Sequence, residues 1–195
     1  MTEAGFQALE QTITQRLLAG LDTRLTYHNL AHTLDVLKQA AVIAVAEQVT
    51  NAHDLLLLRI AALYHDTGFL YTYQGHEEKS CEILEADLAG EFSETDMALM
   101  KGMIMATKIP QSPATLLEEI ICDADLDYLG RMDFEPISQS LKAEFLAYGV
   151  IQDNTEWDNI QISFFEKHHF FTGSSIIRRD PVKQQHLARL YQRTE

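Results

Sequence analysis

Sulfur chemistry has little to work with in this chain. Its two cysteines, Cys81 and Cys122, both sit in apolar helical patterns, which reads as two buried free thiols and supplies neither a disulfide framework nor a thiolate zinc site. Glycine and proline are also scarce, nine and four in 195 residues, while 46% of the chain is hydrophobic, so a fibrous or disordered chain is excluded. No apolar run approaches ~18 residues, and no membrane-spanning helix is expected. The start, Met-Thr-Glu-Ala-Gly-Phe, lacks the basic and then apolar regions of a signal peptide, so a cytoplasmic protein is expected. Positive charge is the last shortage. Fifteen Lys and Arg stand against 29 Asp and Glu, a net charge of −14, which argues against polymeric nucleic acid and anionic membranes as partners. A phosphorylated small molecule would need local relief from that field, and bound cations would provide it.

What is present is helical periodicity. Residues 3–19 carry Phe6, Leu9, Ile13 and Leu17 at helical spacing, and residues 29–48 carry Leu30, Leu34, Leu37, Ala41 and Ala44, with Asn29 or Thr26 as cap. Asp54 is the expected cap of residues 55–65, a segment apolar on nearly every side and therefore central, with Gly68 stopping it soon after. An aromatic loop, residues 69–75, precedes a helix from His76 to Leu88, and Ser93 with Asp96 marks the next start. Ser112-Pro113 reads as a further start, for a helix running through the acidic triplet to Gly130. Helices over 136–148, 155–170 and 181–193 complete the chain, the last two started by Thr155 with Asp158 and by Asp180-Pro181. No strand alternation, repeat or low-complexity tract interrupts this pattern. The expectation is an all-α bundle of roughly eight to nine helices in a single domain over residues 1–195.

Three polar groups stand out against that background. Within Tyr27-His28-Asn29-Leu30-Ala31-His32-Thr33-Leu34-Asp35, the residues His28, His32 and Asp35 fall at i, i+4 and i+7, one stripe of a helix. His65-Asp66 closes the most apolar segment, where a polar pair is costly unless satisfied. Asp123, Asp125 and Asp127 follow on a later helix. Imidazoles with carboxylates and no thiolate suit a borderline or hard divalent ion that keeps positions open for water. The triplet cannot act as one ligand set, because residues 123 and 127 share a helical face and 125 points nearly opposite. It is not a calcium loop either, since Tyr128 stands where that loop needs glycine and Phe134 where it needs glutamate.

The order His32, His65-Asp66 and a later aspartate resembles the HD-domain superfamily of metal-dependent phosphohydrolases. Tyr27-His28-Asn29-x-x-His32-x-x-Asp35-Val36 is similar to the cyclic-nucleotide phosphodiesterase signature, which has Ala at the place of Thr33. Ala61-Ala62-Leu63-Tyr64-His65-Asp66-Thr67-Gly68 and Asp123-Ala124-Asp125-Leu126 look like motifs of small bacterial members. The resemblance spans roughly residues 26–130. It implies an HD-type helical bundle in which His32, His65, Asp66 and Asp125 bind one or two divalent ions, among Mn, Mg, Fe, Co, Ni and Zn. Hydroxide from metal-bound water would attack a phosphoester, with Asp66 bridging a second ion if one binds and His28 protonating the leaving oxygen. Asp35 is expected to support His32, Asp123 to be an auxiliary or alternative ligand, and His76 to reach a second ion. Asp127 fits best as an exposed acidic helix end. Thr107 and Lys108 are the candidates for binding substrate phosphate, in a pocket drawn from residues 69–75, 105–110 and 160–172. His168 and His169 read as one inward and one exposed histidine, and His53 and His186 have no evident partner.

The substrate implied is a nucleotide or another small phosphorylated metabolite. Cyclic-nucleotide phosphodiesterase is the specific alternative, though neither a purine-reading glutamine nor an aromatic clamp is identifiable. A di-iron oxygenase on the same fold and a non-catalytic nucleotide-binding module are the rivals from other classes. Monomer and homodimer are both open.

Overall fold

Helix α3 (Ala52–Tyr64) is the axis of the molecule in the computed structural model, which describes residues 1–153 and 156–194. Its sequence leaves no polar face wide enough to meet solvent, and Leu57, Leu58 and Ile60 through Tyr64 are all buried. Arg59 is its one charge beyond the first turn. The guanidinium lies 3.8 Å over the Phe6 ring and reaches Glu3 at 2.8 Å, so its stem packs while its head stays near water. Around α3 pack α1 (Glu3–Gly20), α2 (Leu30–Ala46), α4 (His76–Asp87), α5 (Glu94–Ala106) and α6 (Leu116–Asp125).

A second group, α7 (Phe134–Ala147), α8 (Trp157–Lys167) and α9 (Gly173–Thr194), closes over one end of the first. Phe134, Phe165, Phe170 and Leu190 form its apolar centre together with Tyr27, Leu126, Tyr128 and Leu129. Two 3₁₀ turns, Thr67–Leu70 and Asp127–Gly130, follow directly on the His65-Asp66 pair and on Asp125. Among the described residues there are nine α-helices and no strand, the all-α architecture expected. None of these helices is long and apolar enough to cross a membrane.

Several boundaries differ from the expected ones, and each difference has a local cause. Asn29 caps α2 by accepting from the N–H groups of Ala31 (2.9 Å) and His32 (3.4 Å), which leaves His28 outside the helix rather than on its stripe. Helix α3 starts under Asn51, not Asp54, since the Asn51 side chain accepts from His53 N–H. Asp54 then lies in the first turn, where its charge complements the helix dipole. Helix α6 starts three residues later than Ser112-Pro113 suggests, because Thr115 and Glu118 form a reciprocal capping box. It stops at Asp125, well before Gly130. That glycine is needed for close approach instead: a Cβ there would lie 2.5 Å from the Arg179 carbonyl oxygen. Gly68 has the same role, with the His76 carbonyl oxygen 2.0 Å from where its Cβ would stand. Pro181 does not begin a helix but lies inside α9, on its exposed side where a carbonyl without a donor can take water. The start expected at Thr155 falls outside the described residues.

His168 follows α8 as its half-buried C-cap, beside the rings of Phe164 and Phe170, and neither ring nitrogen has a hydrogen-bond partner. Burial first, then the charges of Lys183 and His169, pushes its pKa down to about 3. The unfolded chain therefore binds a proton that the folded chain refuses between about pH 6.5 and 3. Stability is full above pH ~6.5 and falls below it, with at most about 1.4 kcal/mol per pH unit from this group. Urea unfolding at pH 7, 6, 5 and 4 is expected to show that acid slope and a flatter one for His168→Leu.

Candidate metal centre

His32 projects from the first turn of α2, His65 is the C-cap of α3, and Asp66 opens the following 3₁₀ turn. Their ligand atoms converge. His32 Nε2 and His65 Nε2 lie 3.4 Å apart, and Asp66 Oδ2 lies 3.4 Å from the first and 3.3 Å from the second. All three atoms fall within 4.8 Å of one another, and the side chains are nearly solvent-free. His65 Nδ1 donates to the Ala62 carbonyl at 2.8 Å, which puts the lone pair on Nε2, toward the cluster. Asp66 Oδ2 is buried without any hydrogen-bond partner. With the imidazoles neutral, as metal ligation requires, lone pairs from imidazole and carboxylate facing one another would repel, and a buried carboxylate oxygen without a donor is costly. A divalent cation removes both penalties, and separations of 3.3–3.4 Å are those imposed on ligands bound at about 2.1 Å in tetrahedral to octahedral arrangements. The residues fit the group.

Asp125, the last residue of α6, sets Oδ1 3.1 Å from His32 Nε2 and 3.7 Å from His65 Nε2. Burial would raise its pKa, but His32 and His65 outweigh it and hold it down at about 2. Asp66 is likewise held below the usual carboxylate range, burial being overcome by His65. Both carboxylates are therefore held in the ionised form that a cation site requires.

The other candidates divide. Asp35 does not reach His32; its Oδ2 accepts from Arg131 at 2.6 Å and its Oδ1 from Gln39 at 3.4 Å. Asp123 turns away from the cluster and accepts from the backbone N–H groups of Phe171 and Thr172 and from the Thr172 hydroxyl, at 2.7–2.9 Å. Asp127 is not exposed: it is buried among Arg178, Arg179 and Arg131. Thr107 is buried and its hydroxyl donates to the Ile104 carbonyl at 2.8 Å. Lys108 pairs with Glu78 near the surface. His76 stands beside the cluster, with Nε2 3.6 Å from Asp66 Oδ1, Nδ1 donating to the Tyr73 carbonyl at 3.2 Å, and its ring stacked on Phe69. His53 pairs with Asp96 at 2.7 Å, and buried His186 bonds the Arg131 carbonyl, so both have partners. His169 is exposed.

His28 stacks on Phe69 and lines the same cavity as Asp66 and Asp125. Its partner is Glu144 of α7, a fully buried carboxylate that the sequence reading missed. Glu144 Oε1 takes His28 Nδ1 and the Tyr73 hydroxyl, while Oε2 accepts from the N–H groups of Tyr27 (2.9 Å) and His28 (3.0 Å). Burial alone would lower the His28 pKa. The Glu144 hydrogen bond and the Asp66 charge outweigh it, and the pKa is raised. The available signal was a charge on the inward stripe of α7, at Ser138, Leu141 and Glu144 with Phe145 beside it.

Beside the metal cluster the cavity opens to about 470 Å³, with walls from residues 69–77, 107–109, 125–129, 134–150 and 157–165. An all-helical protein with a buried His–His–Asp cluster at one end of such a cavity is a helical-bundle metalloprotein of enzymatic type. The HD domain family model matches residues 29–127, from the cap of α2 into the second 3₁₀ turn, and the chain belongs to that family. Family and triad together make it a metal-dependent phosphohydrolase in the general sense. Searches of curated proteins and of solved structures returned no match.

Proposed function

We propose that the protein hydrolyses a phosphoester of a small metabolite, with His32, His65, Asp66 and Asp125 holding a divalent ion and His28 delivering the proton to the leaving oxygen. The observation that carries this is the His28–Glu144 pair at the cavity wall beside the metal cluster. When bound, the ion supplies Lewis acidity toward phosphoryl oxygens and lowers the pKa of water. The chain's own residues do the rest. Glu144 accepts from His28 Nδ1, which keeps the imidazole charged and leaves Nε2–H as the donor available to substrate. Two backbone N–H groups and the Tyr73 hydroxyl fix that carboxylate in turn. His76, with Nε2 3.6 Å from Asp66 Oδ1, would hold a second ion together with that carboxylate. Lys108 meets phosphate only by exchanging its Glu78 partner.

The test is a phosphate-release screen over cyclic and linear nucleotides, sugar phosphates and simple esters, with Mn²⁺, Mg²⁺, Fe²⁺, Co²⁺, Ni²⁺ and Zn²⁺ in turn. Release with at least one ion, and none with excess chelator, is expected. Oxygen uptake by iron-loaded protein without phosphate release would make it an oxygenase instead. Tight nucleotide binding without turnover would make it a binding module. His28→Ala is expected to retain its metal while kcat falls about 10²–10⁴-fold. Glu144→Gln should retain metal too, with a loss that eases as pH is lowered and His28 is recharged.

A further inference from the structure

Resting on that reading, we infer that the substrate carries a single phosphate on a bulky apolar group, aryl or branched alkyl, seated between α7 and α8. The walls there are Leu129, Phe134, Leu141, Phe145, Trp157 and Phe165. A ring ladder connects them to the metal cluster: Tyr27 lies 4.6 Å from His32, Tyr128 5.5 Å from Tyr27, Phe134 6.2 Å from Tyr128 and Phe165 5.1 Å from Phe134. On the facing side Phe145 meets Trp157 edge-on at 5.8 Å. Protein interiors fill with side chains, and an unfilled apolar space costs stability. About 470 Å³ left open in a small helical protein is the size of a ligand pocket.

The polar inventory of these walls narrows the ligand further. Ser138 and Gln161 are buried and bonded to each other, the hydroxyl donating to the amide oxygen. Apart from Asp66 in the metal cluster, Trp157 Nε1 and the Tyr27 hydroxyl are the buried lining groups left without a hydrogen-bond partner among the described residues. These two positions are set against the several hydroxyls of a sugar and the edges of a nucleobase, whose remaining polar groups would be buried unpaired at a penalty. Lys108 is the one lysine or arginine among the described lining residues, and Glu78 already holds it. A chain of phosphates would therefore meet little positive charge. Helix α7 also links the chamber to the chemistry. It contributes Leu141 and Phe145 to the wall and Glu144 to His28, so the oxygen that His28 protonates belongs to the group in the chamber.

Trp157 is the sole tryptophan in the chain, so its emission reports occupancy without any turnover. With metal-loaded protein, 1-naphthylmethylphosphonate is expected to change that emission saturably, and methylphosphonate to leave it unchanged at a ~100-fold higher concentration. In phosphate release, kcat/KM should climb about fourfold per methylene from methyl to hexyl phosphate. 1-Naphthyl phosphate should exceed both ribose 5-phosphate and adenosine monophosphate by more than ~100-fold. A flat alkyl series, or ribose 5-phosphate or adenosine monophosphate turned over best, overturns the ligand class while leaving the hydrolysis standing. Saturable binding of the naphthyl phosphonate with no ester cleaved under any metal overturns the hydrolysis and sustains the ligand class. No response of Trp157 to the naphthyl probe overturns the ligand class directly.

Discussion

Asp66→Ala is expected to lose its metal and to cut phosphoester hydrolysis by at least ~10³-fold, the loss of about 4 kcal/mol of Lewis-acid stabilisation. Asp66 is singled out by geometry as well as by type. Its Oδ2 is the one oxygen in the compact triad, and its Oδ1 faces His76, so its removal opens both candidate ion positions at once. Helical circular dichroism of the variant should be unchanged, because the carboxylate terminates no helix by side-chain capping. Thermal unfolding gives an independent readout. At an ion concentration ~100 times Kd, binding stabilises the native state by about 2.7 kcal/mol, so a chelator should lower the Tm of the parent protein and leave that of Asp66→Ala in place. Asp35→Ala is the control. Asp35 pairs with Arg131 rather than with His32, and that variant should retain its metal. Full metal content and full activity in Asp66→Ala would remove the assignment.

The parts of this centre legible in sequence are those whose meaning is local. His65-Asp66 ends the one segment that is apolar all round, and a polar pair in that position needs a compensating partner. His32 and Asp125 are joined to it by the family resemblance, while the helical phase of residues 123, 125 and 127 shows only that all three cannot serve one ion. That phase argument holds in the fold: Asp123 and Asp127 both turn toward the segment leading into α9 and α9 itself, and Asp125 toward the histidines. What the residues around Asp127 could not reveal is that α9 brings two arginines onto it from more than 50 positions away. An acidic residue at a helix end is usually solvated, and burial by a later element leaves no local mark. Glu144 was hidden for the same reason, as was the share of the cavity wall that α7 supplies. The helix starts at Asn51 and Thr115 show a different limit, since neighbouring cap residues compete and tertiary packing chooses among them.

Asp127→Ala is expected to be the most destabilising single change in the chain outside the apolar core, at about 3–5 kcal/mol. Its side chain is 1% exposed, and both oxygens are engaged: Oδ1 by Arg178 at 3.0 Å and Arg179 Nε at 2.8 Å, Oδ2 by the Arg179 terminal nitrogen at 2.7 Å. Arg131 adds its charge at 3.6 Å and is itself held by Asp35 and Asp133. The Arg179 fork is two-pronged, the arrangement in which such pairs are strongest. Removing the carboxylate leaves Arg179 and Arg131, 17% and 15% exposed, facing each other without their shared anion. Urea unfolding should show the loss as a lower midpoint with an unchanged slope. Asp133→Ala, whose side chain is 54% exposed, should cost less than about 1 kcal/mol. The metal site should feel the change as well. The 3₁₀ turn that Asp127 anchors to α9 begins two residues after Asp125, so freeing it loosens the fourth candidate ligand and should weaken metal affinity about 10-fold. A loss of stability with metal affinity intact would show that α6 alone positions Asp125, independently of the arginine cluster behind it.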